Sequence, residues 1–254
     1  MLEDKNKIQG FSLLELTAVI IIISFIVSTI VFTTQARLDA SRIYVTKERM
    51  QTIMDSIDRY VENYGHIPCP ANPSVSRVNA NYGWGTGTNA TVANCPQAST
   101  FFASGSGTYG DIVVGMVPFK TLVPPLDPSI AVDGWGNRFS FFVTERYTNR
   151  SNYKLATGVG ANYNISNLPD GTGTNYIDTT NGDVAYILLS HGPNGDYAYR
   201  DKDGTQLSLA THLTSDTENG VAGDAQFVCA MPNALNDDIL VYKNKWQLPN
   251  FIND

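Results

Sequence analysis

The feature that most constrains this chain is a run of 21 residues, Leu16 to Ala36, that contains no charge. At about 1.5 Å of rise per residue such a helix covers roughly 30 Å, the thickness of a bilayer's hydrocarbon core, so the run is expected to form a membrane-spanning helix. A secretory signal peptide is the competing reading. Its apolar region normally covers about 7 to 15 residues and ends at a small-x-small cleavage site, which Thr34-Gln35-Ala36 matches poorly. The flanking charges do not set a direction across the membrane: Lys5 and Lys7 are offset by Glu3 and Asp4 before the run, while Arg37, Arg42, Lys47 and Arg49 follow it.

Composition narrows the class of partner. Only 16% of the 254 residues are charged, against about 25% in ordinary globular proteins. The uncharged block accounts for part of the shortfall, and a neutral Gly/Asn/Thr/Ser population further on accounts for the rest. A formal net charge of -7 argues against a dedicated nucleic-acid binder, whose affinity comes mainly from Lys and Arg neutralising phosphates.

Glu15 interrupts the apolar pattern close to its start. An ionisable group within a span is costly, so a partner is expected unless the residue sits at headgroup level. The local string reads Lys5, Lys7, Gly10, then Phe11-Ser12-Leu13-Leu14-Glu15-Leu16 and the uncharged run. This string resembles the cleavage signal of type IV prepilins and type II secretion pseudopilins. The resemblance implies that a prepilin peptidase cuts after Gly10 and methylates Phe11 as the new N-terminus. It also implies that Glu15 neutralises a neighbouring subunit's terminal amine during assembly, a pairing that would compensate two charges in a low-dielectric surrounding.

Beyond the run the pattern becomes amphipathic. Ile43, Met50, Ile53, Met54, Ile57, Tyr60, Val61 and Tyr64 recur at helical spacings among Lys47, Glu48, Asp55, Asp58 and Glu62. Gly65, Pro68 and Pro70 are expected to end the helix, since glycine suits the left-handed position after a helix and proline cannot continue one. Residues 71–110 lack any sustained period and read as a structured surface loop. Short aromatic and β-branched runs at 111–119, 138–147, 184–190, 226–231 and 239–242, separated by Gly/Asn/Asp/Pro turns, read as an antiparallel sheet. The expected fold is α+β and pilin-like: a long N-terminal helix, transmembrane in its first half, packed on an antiparallel β-sheet. Its expected divisions are a leader (1–10), a transmembrane and assembly helix (11–36), an amphipathic helix half (37–64) and an extracytoplasmic globular domain (65–254).

A second resemblance lies in the C-terminal part. Val117 to Leu122, VPFKTL, followed by Asp133-Gly134-Trp135-Gly136-Asn137, is similar to the pseudopilin stretch in which a proline-bounded segment leads to a turn and the first strand. The turn is read as structural, with Trp135 folding back onto the helix. Ala185 to Asp196, AYILLSHGPNGD, and later Asn236-Asp237-Asp238-Ile239 resemble the strand, loop and Asp-Ile ending of the major type II secretion pseudopilin, whose loop binds calcium. On that resemblance Asp237 and Asp238, then Asn194 and Asp196, are candidate calcium ligands. The chain departs from the pattern by an insertion from about Tyr197 to Leu235 and by lacking a tryptophan after Asp-Ile. Eleven Asp and Glu between residues 170 and 238, against Arg200 and Lys202, suit a hard cation equally well as they suit a solvated acidic face.

Three cysteines leave at least one unpaired. Cys69 with Cys95 would close the irregular 71–110 segment at a separation of 26, with Cys229 packing as a small hydrophobe, although spacing alone leaves the other pairings open. No CxxC pair and no paired histidines point to zinc, and no acid, base and nucleophile constellation points to an enzyme. The functional expectation is a structural subunit of a type II secretion pseudopilus or a type IV pilus-like fibre, involved in protein secretion. Its partners would be prepilin peptidase, other pilin or pseudopilin subunits and an inner-membrane assembly platform. Its location would be the inner membrane, single-pass, with the C-terminal domain periplasmic or carried into the fibre. The alternatives are a minor pilin for adhesion or DNA uptake, and an anchored binding domain that never polymerises. For DNA uptake the candidate patch would interleave Arg138, Arg146, Arg150 and Lys154 with Phe139, Phe141, Phe142, Tyr147 and Tyr153.

Overall fold

A computed structural model of the chain describes residues 13–85, 95, 101–103, 112–150, 153, 164–166, 175–177, 184–208, 219, 226–229 and 237–249. The chain divides into two compact units, Met1–Ile43 and Tyr44–Asp254. Helix α1, Leu13–Tyr64, contributes to both.

Among the described residues no helix is long and apolar enough to cross a membrane. This finding corrects three expectations: the transmembrane first half of the helix, the pilin-like fold built on it, and the single-pass placement in an inner membrane.

The second unit is organised by the helical stripe from Thr46 to Val61. Met50, Ile53, Ile57 and Val61 are buried on one face of α1, while Lys47, Glu48, Asp55 and Glu62 stay exposed on the other. Thr46 and Ser56 are buried with the apolar residues. The helix ends as its sequence requires: Gly65 adopts φ +71°, and its N–H donates to the Val61 carbonyl at 2.7 Å.

Among the described residues ten strands follow: β1 Phe101–Ala103, β2 Ile112–Met116, β3 Asn137–Arg138, β4 Ser140–Thr144, β5 Asn164–Ser166, β6 Asn175–Ile177, β7 Val184–Ser190, β8 Tyr199–Arg200, β9 Gln226–Val228 and β10 Ile239–Asn244. The main sheet has the order β1-β2-β4-β7-β10 and is antiparallel throughout. One row of its register aligns Val113, Val143, Tyr186 and Lys243 across four strands. That row faces α1, because the Lys243 ammonium donates to the Asp58 carboxylate. Burial, with the carboxylates of Asp58 and Asp55 nearby, raises the Tyr186 hydroxyl well above its ordinary range and keeps it protonated.

The opposite face of the sheet is also covered. Ile112, Val114, Phe142, Ile187, Leu189 and Leu240 form one apolar cluster with Ile165 of β5 and Phe227 of β9. The rings of Phe142 and Phe227 meet edge to face at 4.8 Å between centroids. Strands β5 and β9 belong to a second sheet of order β6-β5-β9, in which β5 and β9 run parallel. The single helix-on-sheet pair expected from the sequence is therefore corrected to three layers, with β3 and β8 forming a separate two-stranded ribbon. The signal for the third layer was the uninterrupted apolar character of β7: every residue of Val184–Ser190 is buried, which an antiparallel strand with one wet face does not show.

The third layer makes a testable demand on the core. Phe227→Ala should cost about 3 to 5 kcal/mol, the range for emptying a buried aromatic site, and equilibrium urea unfolding would show it as a lower midpoint with unchanged slope. A change of less than about 0.5 kcal/mol, the ordinary range for surface substitutions, would mean that β9 does not close the core.

Candidate functional site

Four places carry the sequence-derived candidates, and each has its own geometry. At the N-terminal end, Gly10 and Phe11 lie outside the described residues. Glu15 is exposed in the first turn of α1, where a negative charge interacts favourably with the helix's partly positive N-terminal end. Around it the helix presents apolar side chains to solvent: Leu13 is 81% exposed, Leu14 80% and Phe25 72%. The two hydroxyls within this stretch turn inward on the backbone. Thr17 donates to the Leu14 carbonyl at 2.8 Å and Ser24 to the Ile20 carbonyl at 2.7 Å, so they add little polar surface. A contiguous apolar surface of this kind marks a place where something else must pack.

The second place is the Asp133–Asn137 turn. Asp133 is 1% exposed, and its Oδ1 accepts from the backbone N–H groups of Trp135 and Asn137, each at 2.9 Å. Its Oδ2 accepts from the Ser190 hydroxyl at 2.8 Å. Burial raises the Asp133 carboxyl above the usual carboxylate range, against the pull of those three hydrogen bonds. The turn is fastened to α1 from both of its sides. Arg49 donates to the carbonyls of Val132 and Asp133 at 2.9 and 3.0 Å, and the Gly134 N–H donates to the Thr46 hydroxyl at 2.9 Å. Sequence reading identified the turn as structural but missed Thr46 and Arg49. The signal was a gap in the apolar stripe: Thr46 occupies the buried position between Ile43 and Met50.

His191 lies beside this turn, 2% exposed, with its Nε2 2.8 Å from the Ser140 hydroxyl. Adjacent Ser190 and His191 thus reach different partners, and the serine on the histidine is not the serine on the Asp133 carboxylate. These contacts assemble no nucleophile relay around Ser190. Burial holds the His191 imidazole neutral by pulling its pKa from 6.5 down to about 4, outweighing the nearby Asp196, whose charge and backbone favour protonation.

The third place is the acidic loop, where hydrogen bonds join Asp237, Asn194 and Asp196. Asp237 accepts from the Asn194 backbone N–H at 3.2 Å and from its Nδ2 at 3.1 Å. Asn194 therefore presents a nitrogen, not its oxygen, to Asp237, and its Oδ1 accepts from the Asp196 N–H at 2.8 Å. Asp196 turns to its own chain at the Tyr197 N–H. Asp238 is buried and accepts from Asn219 Nδ2 at 2.8 Å, while Asn219 Oδ1 takes the Val228 N–H of β9. Calcium needs several oxygens converging on one point; here Asp237, Asn194 and Asp196 are joined in one hydrogen-bonded series, and Asp238 is paired with Asn219. Among the described residues no three His, Cys, Asp or Glu side chains form a metal-holding group.

Cysteines and basic residues make up the fourth group. Cys69 and Cys95 form a disulfide with 5.7 Å between Cα atoms, and Cys229 is free. Cys69, Cys95 and Val113 pack as one small apolar cluster, so the bridge pins the loop to β2. Of the supposed nucleic-acid patch, Arg146 and Arg150 are exposed, but Arg138 and the described aromatic residues are buried. Arg138 is 1% exposed, with its Nη1 donating to the Pro73 and Val75 carbonyls and its Nη2 to the Asp201 carbonyl at 2.6 Å. Its guanidinium lies 4.7 Å from the centroid of the Tyr82 ring, whose hydroxyl donates to Asp201. Phe139, Phe141, Tyr147 and Tyr153 are fully buried and cannot stack on bases, and Lys154 lies outside the described residues.

Comparison with known protein families, with curated proteins and with solved structures finds no match.

The histidine gives a pH prediction. A folded-state pKa below the unfolded value means that the unfolded chain binds more protons between the two. The stability His191 contributes is therefore present above about pH 6.5 and lost as pH falls towards 4, by about 3 kcal/mol in all. Asp133, raised by burial, acts in the opposite sense, so the histidine's part is the difference between wild type and His191→Gln in urea unfolding between pH 7 and 4. Parallel pH profiles for the two proteins would refute it. Separately, Cys69→Ser should lower stability by about 3 kcal/mol in the chain-entropy account, and reductant should then have no further effect on that variant.

Proposed function

We propose that this chain is a structural subunit of a type II secretion pseudopilus or a type IV pilus-like fibre, and that its work is assembly rather than catalysis. The observation that carries the reading is the conjunction of Gly10, Phe11 and Glu15 with the exposed apolar surface that begins at Leu13. Prepilin peptidase would cut after Gly10 and methylate Phe11. Other pilin or pseudopilin subunits would then cover Leu13 to Val27, burying side chains that water otherwise surrounds. Glu15 would face a neighbouring subunit's terminal amine, because a carboxylate carried into an apolar interface needs a compensating charge. The second unit supports the reading by being a self-sufficient packed body: its helical stripe, main sheet and small sheet close their own core.

Two measurements test this. The N-terminal mass of the protein isolated from the cells that make it should correspond to a chain starting at methylated Phe11. An intact Met1 in the presence of the peptidase would overturn the proposal. Glu15→Ala should be processed normally yet enter fibres at least tenfold less efficiently, as scored in sheared fibre fractions; normal incorporation would remove Glu15 from the assembly role.

A further inference from the structure

We draw no further inference here: the strongest candidate, the exposed apolar face of α1 between Leu13 and Val27, carries nothing beyond the reading already proposed, because nothing in the structure shows what covers it.

Discussion

The second unit depends on the double-sided burial of β7. Seven consecutive residues without exposure need an apolar neighbour above and below the sheet, because a strand's side chains alternate between its two faces. The helical stripe of Met50, Ile53, Ile57 and Val61 supplies part of one neighbour, and Ile165 with Phe227 supplies part of the other. Everything else in the unit can be understood as arranging for those two covers to stay in place. The Asp58 to Lys243 pair ties the helix to the last strand, and the disulfide ties the irregular loop to β2.

Polar groups are drawn into this core where chain direction changes, and several are matched by specific partners. The Asp133 turn is the clearest case. Its carboxylate satisfies two turn amides and a serine, while Arg49 and Thr46 satisfy the backbone that the turn leaves facing α1. The buried Arg138 does similar work among carbonyls of the 73–75 segment and of Asp201. Such groups stabilise little in net terms, since their desolvation offsets most of the gain, yet removing one partner strands the other in a dry interior. They therefore act mainly on which arrangement forms.

How much was legible beforehand varied with the range of the interaction. The helix stop at Gly65, the helical stripe, the apolar run Val184–Ser190 and the first four residues of Ile239–Asn244 follow local sequence and were readable from it. Strands β5 and β6 were not, because three-residue segments among polar neighbours carry no period of their own: β5 forms by pairing with a distant β9, and β6 by pairing with β5. Asp237 and Asn194 were placed together on resemblance and do meet, and Asp196 joins them through its backbone N–H, while Asp238 pairs with Asn219. Consecutive residues at a strand entry project to opposite sides, which spacing in the chain does not convey. Arg138 and its aromatic neighbours looked like a surface patch because charge and aromaticity are visible in sequence while burial is not.

The sequence by itself determined the properties that depend on neighbours a few residues apart: the uncharged run with Glu15 at its head, the amphipathic period after it, the glycine that ends the helix, and the negative net charge. Tertiary structure alone decided that the main sheet is covered on both faces, that Thr46 and Arg49 hold the Asp133 turn, and that Asp237 meets Asn194 while Asp238 meets Asn219. The division has a physical cause. Helical and strand periodicities are set by backbone geometry within a few residues, whereas the partner of a buried side chain is set by which distant segments close the core.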